Sequence, residues 1–214
     1  ATALDFCSVY LSKITGRPVR MVYTREEMHS HHRGRHKQHM KFKLGLDKDG
    51  AIKAFTSEIL LDGGAYTSFG VATAYYAGSM MPTLYHIPNY RYEGYRVMTN
   101  KPACGAMRGH GVPQPRFAFE CLLNMMADDL GLDPIEIRLR NAMTPNTRTV
   151  NDMDIGSCEF RATLDAVDDA RRARRGGPRR RASAHQDARP PRDPISPPRW
   201  WRSGRGGWSA RRWS

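Results

Sequence analysis

The chain has 214 residues, a length typical of one or two domains, and a net charge of +13 that is unevenly distributed. Residues 171–214 contain 14 Arg, no Lys and two Asp, which gives them a net charge of +12, whereas residues 1–170 carry only +1. The basic character of the chain therefore does not indicate a nucleic-acid partner for its first 170 residues. The four Cys are widely spaced and form no CxxC pair, which argues against zinc or an iron–sulfur cluster bound by this chain.

The first half of the chain is predicted to contain a helix followed by several strands. An apolar stripe at helical spacing predicts a helix over 3–15, and residues 18–23 are predicted as a short strand. Alternating apolar and polar residues over 40–46, a turn over 47–50 and a second strand over 51–61 predict a β-hairpin. Residues 90–98 are predicted as a further strand. The stripe of the first helix consists of Leu4, Cys7, Leu11 and Ile14.

Beyond residue 115 the pattern becomes helical. A helix is predicted over 116–130, ending at Gly131. Asp133 is the predicted N-cap of the next helix, with Pro134 in its first turn and Glu136 completing a capping box. Ser157 is predicted to cap a last helix that runs to residue 170. The predicted apolar face of the first of these helices consists of Phe117, Cys121, Leu122, Met125 and Leu130, and that of the second of Ile135 and Leu139.

These elements indicate an α+β fold with mixed sheets and packed helices over residues 1–170. Residues 171–214 contain no Leu, Val, Phe, Met, Tyr or Cys, which predicts a disordered tail that cannot form a core. Their bias toward Arg, Pro, Gly, Ala and Trp is typical of a GC-rich gene translated in the wrong frame, and we interpret the tail in this way. The alternative is a basic arm that binds nucleic acid through its Arg and Trp side chains.

Five His between residues 28 and 39 form the first candidate cluster. On a helix, His32, His36 and His39 could face one metal ion. However, Gly34 interrupts the segment, no carboxylate or Cys follows, and the neighbouring Arg and Lys side chains repel a divalent cation. The preferred interpretation is a solvated basic surface, and the alternatives are an anionic ligand or a subunit contact.

The most informative segment is residues 99–114, TNKPACGAMRGHGVPQ. It lies between a predicted strand and a predicted helix, and its glycines allow the backbone to approach a ligand closely. Arg108 offers fixed donors, and the N-terminus of the next helix points into the same region. This pattern favours an anionic cofactor with phosphate or oxo groups. The alternative is a structural loop in which Arg108 pairs with a carboxylate, and no nucleotide-binding motif is present.

The GAMRGHG motif, with TNKP before it and FAFE after it, resembles the AFRGFG loop of the molybdenum hydroxylases. These are the large, molybdopterin-binding subunits of the xanthine dehydrogenase and aldehyde oxidase family. The AMRGHG variant, together with YAGSMM, most resembles the 4-hydroxybenzoyl-CoA reductase branch. The resemblance implies a fragment of the molybdopterin-binding domain. Further matching segments between residue 1 and about residue 170 are TGRPV (15–19), DGGAY (62–66), YHIPN (85–89) and GLDPIEIRLRN (131–141).

The resemblance implies a cofactor-binding role for four residues of the loop. Arg108 would lie against the molybdenum centre, so that its backbone contacts the oxo and sulfido face of the metal. Its neighbours Ala106, Met107 and Gly109 would bind the same cofactor. The implied cofactor is molybdenum-molybdopterin in its cytosine dinucleotide form.

The resemblance also implies two substrate-binding residues. His110 occupies the position of a Phe that packs on the substrate ring in the purine and aldehyde enzymes, and an imidazole can also donate a proton. Tyr76 occupies the position of a substrate-binding Arg of the purine enzymes, which disfavours a purine as substrate. The alternative for Tyr76 is packing within an aromatic-rich segment.

The implied function is the reductive removal of the hydroxyl group of a hydroxyaryl-CoA, with His110 as the catalytic residue that protonates the leaving oxygen. The alternatives are a molybdenum hydroxylase of an aldehyde or N-heterocycle, an inactive truncated product, and a nucleic-acid-binding protein that uses the tail. Because later cofactor-binding loops of the family are not in the chain, we expect this fragment alone to be inactive.

The expected partners are a small aromatic substrate, such as a CoA thioester, and separate subunits that carry iron–sulfur clusters and FAD. No membrane partner is expected, because the longest uncharged stretch, 63–90, contains several Gly and Pro. No secretory signal is recognised, and isolated Cys are typical of a reducing compartment. We therefore expect a cytoplasmic location.

Overall fold

The computed structural model describes residues 3–176, and residues 1–2 and 177–214 lie outside the described part. Helices are combined with one three-stranded and one two-stranded sheet, which confirms the α+β fold class. The elements in chain order are α1 (Ala3–Thr15), α2 (Arg25–His31), β1 (Lys37–Leu46), β2 (Ile52–Asp62), α3 (Gly70–Ser79), a 3-10 helix (Met81–Thr83), β3 (Tyr90–Val97), α4 (Pro113–Leu130), α5 (Pro134–Asn141), β4 (Thr147–Arg148), β5 (Asp154–Ile155) and α6 (Phe160–Gly176).

The main sheet has the strand order β1-β2-β3. β1 and β2 form the predicted antiparallel hairpin. Asp47 closes its turn by accepting hydrogen bonds from the amides of Ala51 at 2.8 Å and Asp49 at 3.0 Å, and Gly50 has a φ of +84°. β3 pairs with β2 in parallel, so the connection 63–89, which contains α3, crosses over between them. The segments that follow β2 and β3 therefore leave the same edge of the sheet.

The core lies between one face of this sheet and α4. Phe55 is at its centre, because its ring packs edge-on against Phe42 and Phe119 at centroid distances of 5.1 and 4.9 Å. Burial of each such ring contributes roughly 1.5–3 kcal/mol. Further fully buried side chains are Leu44, Ile59, Leu61, Met81, Tyr85, Leu123 and Ile137.

The predicted apolar face of α4 is confirmed for Leu122, which is buried, and for Leu130, which is half-buried against the core, but it is wrong for the other named residues. Phe117 is 72% exposed and Met125 is also exposed. The helix carries apolar residues on more than one side, so the periodicity alone does not select the buried side, and the contacts with the sheet decide it. The residues that are buried are Pro115, Ala118, Phe119, Leu122, Leu123, Met126 and Ala127.

α5 begins as predicted but packs differently. Asp133 accepts a hydrogen bond from the Ile135 amide at 2.8 Å, which confirms the N-cap. The predicted capping box is wrong, because the Glu136 carboxylate pairs with Arg140. The buried residues are Ile137 and Asn141 instead of Ile135 and Leu139, which are only half-buried.

Asn141 explains this change of face. Its side-chain oxygen accepts from the Ile52 amide at 2.7 Å, and its amide group donates to the Gly50 carbonyl at 2.8 Å. These bonds attach the buried face of α5 to the hairpin turn. They join residues about 90 positions apart, so the local pattern could not predict them.

Other predicted elements differ at their ends or in burial. Residues 18–23 form no strand, and α2 follows them with a capping box between Thr24 and Glu27. α1 forms as predicted, but its stripe is not buried, since Ile14 is 62% exposed. The last helix begins at Phe160 instead of next to Ser157.

α6 continues past residue 170 to Gly176. Arg171 donates to Asp133 at 2.6 Å and to Asp168 at 2.6 Å, and Arg172 donates to Asp168 at 2.7 Å. The predicted disordered tail over 171–214 lies outside the described residues apart from these first six positions. No helix within residues 3–176 is both long and apolar enough to span a membrane.

Candidate functional site

The loop that joins β3 to α4 runs beside the segment that follows β2. The Gly63 amide donates to the Val97 carbonyl at 2.8 Å, and the Cys104 amide donates to Gly63 at 3.0 Å. Asp62, the last residue of β2, accepts hydrogen bonds from Lys101 and from the Thr99 hydroxyl, and these bonds hold the pKa of the Asp62 carboxyl well below its usual value. The two segments therefore form one unit at the carboxyl ends of two parallel strands.

Two glycines allow this unit to pack closely. Gly64 has a φ of +65°, and a Cβ atom there would lie 2.1 Å from the Pro102 carbonyl oxygen. Gly111 has a φ of +79°, and a Cβ atom there would lie 2.5 Å from the Thr73 carbonyl oxygen on α3. Any larger residue at either position would force the chains apart. The tip of the loop consequently lies directly on the backbone of α3.

The predicted cofactor-binding residues lie on the accessible side of the loop. Ala106, Arg108 and Gly109 are exposed and Met107 is half-buried. Arg35 donates to the Arg108 carbonyl at 2.7 Å, whereas the backbone N–H groups of residues 106–109 donate to no other residue of the described part. These amides form a row of free donors, which suits the oxo or phosphate groups of an anionic cofactor.

Ala106 also lines a cleft of about 820 Å³. Arg33 provides positive charge beside its aromatic walls, and Ser68 accepts a hydrogen bond from Arg33 at 3.3 Å. Ser68 and Tyr66 both have positive φ values, 43° and 65°, a strain that is common beside binding sites. The lining residues are Phe6, Tyr23, His31, His32, Arg33, Tyr66, Ser68, Phe69, Ala103 and Ala106.

The guanidinium group of Arg108 is exposed. It forms no ion pair or hydrogen bond with any residue between 3 and 176. The structure therefore does not show the alternative arrangement, a structural loop in which Arg108 pairs with a carboxylate. The side chain remains available to an anion.

His110 and Tyr76, the two predicted substrate-binding residues, lie together. Their ring centroids are 5.6 Å apart at an angle of 61°, and the ring centroid of Phe69 lies 6.4 Å from that of His110. The Nε2 atom of His110 lies 2.6 Å from the Thr73 hydroxyl. Sequence reasoning did not select Thr73 or Phe69, because it predicted no helix over 70–79 and so gave no face that joins them to Tyr76.

The five-His segment does not form one face. His29 and His31 lie on α2, His32 follows that helix, His36 is buried, and His39 is exposed on β1. Within residues 3–176, no three His, Cys, Asp or Glu side chains are arranged to hold a metal ion. Arg35 of this segment supports the 99–114 loop, because its guanidinium group donates a hydrogen bond to the Arg108 carbonyl.

His36 and Arg96 form a buried polar contact under the site. Arg96 donates from Nε to His36 Nε2 at 3.4 Å, and His36 Nδ1 has no hydrogen-bond partner among the described groups. Burial, and secondarily the charge of Arg96, lower the pKa of His36. His36 is therefore neutral in the folded chain.

This contact predicts a loss of stability in mild acid. The unfolded His36 binds a proton below a pH of about 6.5 and the folded one only at lower pH, so the free energy of unfolding should be highest above a pH of about 6.5 and fall as the pH decreases below it. Urea unfolding between pH 8 and pH 5 measures this, with His36→Gln as the comparison. An unchanged pH dependence in that variant would assign the effect to other groups.

Comparisons with known proteins agree with this geometry. Residues 1–142 match the family model described as the molybdopterin cofactor-binding domain. A xanthine dehydrogenase molybdenum-binding subunit of Escherichia coli O157:H7 is 41% identical over 131 residues, which are 61% of this chain and 17% of that protein. The nicotinate dehydrogenase large molybdopterin subunit of Eubacterium barkeri is 42% identical over 128 residues, or 60% of this chain and 30% of that protein.

Among solved structures, the aldehyde oxidoreductase of Desulfovibrio gigas superposes with a TM-score of 0.71 at 32% sequence identity. The superposition covers 81% of this chain and 19% of that one. The chain thus spans less than a third of the length of each of these relatives.

Proposed function

The chain belongs to the molybdopterin cofactor-binding domain family, and on this premise we propose that it is the part of a molybdenum-dependent oxidoreductase that holds one side of the cofactor. The observation that carries the proposal is the row of free amides at residues 106–109, which begins at Ala106 in the wall of the cleft and includes Arg108 with its unpaired guanidinium group. When bound, the cofactor supplies two-electron redox chemistry at a substrate carbon. The residues of this chain hold and orient it through amide donors and positive charge.

Metal analysis of the complete subunit tests this proposal. We expect equimolar molybdenum and pterin in the purified protein. We expect both to fall strongly in Arg35→Leu, which removes the donor that holds the Arg108 carbonyl. Arg91→Leu, at an exposed position on β3, serves as the matched control. A complete subunit that contains neither molybdenum nor pterin would refute the proposal.

For the reaction, we propose the oxidative hydroxylation of an aldehyde or an N-heterocycle. The support comes from relatives whose names refer to xanthine, nicotinate and aldehyde oxidation, all from the hydroxylase side of the family. His110 is in edge-on contact with Tyr76 and Phe69, and Phe69 also lines the cleft, so this aromatic group would offer ring faces and edges to an aromatic substrate.

A second candidate is reductive dehydroxylation of a hydroxyaryl-CoA, as in 4-hydroxybenzoyl-CoA reductase. The observation that favours it is His110 beside Tyr76, since an imidazole in contact with the substrate could supply the proton that a leaving hydroxyl requires. In this case His110 would be a catalytic residue.

The His110→Phe variant of the complete enzyme separates the two reactions. If His110 is the acid of a dehydroxylation, turnover of 4-hydroxybenzoyl-CoA should fall by about 10²–10⁴-fold with molybdenum content unchanged. If the enzyme is a hydroxylase, turnover of aldehydes or N-heterocycles should change by less than about tenfold, because a Phe ring can stack in the same place. The exposed His86→Phe is the control.

We further propose that the subunit works with partners that carry iron–sulfur clusters and FAD, and that its cofactor has the cytosine dinucleotide form. The relatives are named as subunits, which supports the proposed partner subunits. The four Cys of this chain are free thiols at separate positions, which supports a cytoplasmic location. Iron, flavin and nucleotide analysis of the complex purified under native conditions tests these points together.

For domain organisation, we propose that residues 1 to about 170 are a partial molybdopterin-binding domain and that the remaining segment is translated in a non-native frame. The hydrogen bonds of Arg171 to Asp133 and of Arg172 to Asp168 support a boundary that lies slightly after residue 170, within α6. Sequencing of the gene across codons 165–180 should show a frame change. An intact frame would favour the basic arm, which would then bind nucleic acid in a salt-dependent manner.

A further inference from the structure

Thr73 is the single side chain of α3 that bonds to the loop at His110. It is 1% exposed, and its hydroxyl lies 2.6 Å from His110 Nε2 and 3.2 Å from the Phe69 carbonyl oxygen. We propose that Thr73 is a positioning residue that selects the tautomer of His110 with its proton on Nε2. The role of this tautomer in substrate binding rests on the proposed function, whereas the tautomer itself is a property of this chain.

The number of protons available to the two hydrogen bonds determines this tautomer. A threonine hydroxyl has one proton to donate and can accept through its lone pairs. If it donates to the Phe69 carbonyl, its contact with His110 requires Nε2–H as the donor. This is the one arrangement in which both contacts are hydrogen bonds, and in the reverse arrangement the hydroxyl does not bond to Phe69.

The backbone around His110 fixes the ring against Thr73. Gly109 and Gly111 on either side of it have φ values of +76° and +79°, and Gly111 lies on the α3 backbone at Thr73. The rings of Phe69 and Tyr76 contact the imidazole at steep angles of 70° and 61°. These contacts hold the imidazole beside the hydroxyl, so the hydrogen bond does not have to order the ring by itself.

The consequence concerns the other ring nitrogen. Nδ1 of His110 bonds to no residue of the described part, and in the proposed tautomer it carries a lone pair. In this tautomer Nδ1 is a hydrogen-bond acceptor, which would match a substrate with an N–H or O–H group on an aromatic ring. The same arrangement provides no proton for a leaving group unless Nδ1 is protonated as well.

NMR spectroscopy of the ¹⁵N-labelled full chain, free of cofactor, tests the proposal. We expect a pyrrole-type nitrogen signal at Nε2 of His110, a pyridine-type signal at Nδ1, and a slowly exchanging Nε2–H proton. In Thr73→Val this proton should exchange about fivefold faster, and Thr73→Ser should restore slow exchange. The control is Thr83→Val, which removes a similar hydroxyl-to-backbone bond, from Thr83 to Met80 at 2.8 Å, without touching His110.

Two results would overturn the proposal. One is a proton on Nδ1 in the unmodified chain, which would make Thr73 the donor. The other is an unchanged exchange rate in a folded Thr73→Val chain, which would leave Thr73 with a packing role only. Because the cofactor is absent from this experiment, neither result depends on the molybdenum analysis of the complete subunit.

Discussion

Replacement of Arg96 by Ala is expected to lower the free energy of unfolding by about 2–4 kcal/mol. The guanidinium group of Arg96 donates to the carbonyls of Gly63 at 3.0 Å and Tyr66 at 2.9 Å. The Arg96 side chain packs closely on the backbone at two glycines. A Cβ atom at Gly63 would lie 2.3 Å from its nearest atom, and a Cβ atom at Gly70 would lie 1.8 Å from it. Its loss leaves the Tyr66 carbonyl without a donor and opens a void beneath the start of α3.

Arg91→Ala is the matched control for this substitution. Arg91 lies on the same strand, but its side chain is 75% exposed and pairs only with Glu93. Such surface pairs contribute roughly 0–1 kcal/mol, so the control should unfold close to the unmodified chain in urea. Equal losses in both variants would show that Arg96 has no special part in holding the β2–α3 connection.

The Gly111→Ala variant is expected to lose about 2–4 kcal/mol and to separate the loop from α3. Part of this cost comes from the positive φ of +79°, which an L-residue adopts reluctantly. The remainder comes from the Cβ atom, which would lie 2.5 Å from the Thr73 carbonyl oxygen, and a backbone atom cannot move aside cheaply. The His110–Thr73 contact should be lost with it.

Gly131→Ala separates the two contributions. Gly131 ends α4 with a φ of +66°, but a Cβ atom there would meet nothing within 4 Å. This variant should therefore cost only the conformational part, about 1–2 kcal/mol. The difference between the two variants in urea unfolding measures the steric contact alone. If they cost the same, the close approach of the loop to α3 is not maintained in solution.

The parts of the fold that could be predicted from the sequence depend on local rules. The hairpin follows from alternation and from an Asp–Gly turn, and the N-cap at Asp133 follows from a side chain two residues from its partner. α3 could not be predicted, because its N-cap position, Phe69, provides no side-chain hydrogen bond. The buried sides of α4 and α5 depend on contacts with the distant sheet and hairpin turn.

In the candidate site, too, local features could be predicted from the sequence and distant contacts could not. The loop over 105–111 could be singled out from its glycines and Arg108, and its likeness to a known motif pointed to His110 and Tyr76. Thr73 and Arg35 could not be found in this way, since they lie 37 and 73 positions from the atoms that they contact. Arg35 was instead interpreted as part of a basic surface, because charge alone does not show which Arg supports a carbonyl.

The parallel pairing of β2 and β3 has a consequence for how such proteins diversify. The side chains that would meet a substrate come from α3 and from the loop after β3, both attached at one edge of the sheet, while the aromatic core around Phe55 lies along the strands themselves. Under the proposed function, substitutions at Phe69, Tyr76 or His110 would alter which molecule is recognised with little disturbance of the aromatic core. Selection can act on specificity and on folding as nearly separate traits.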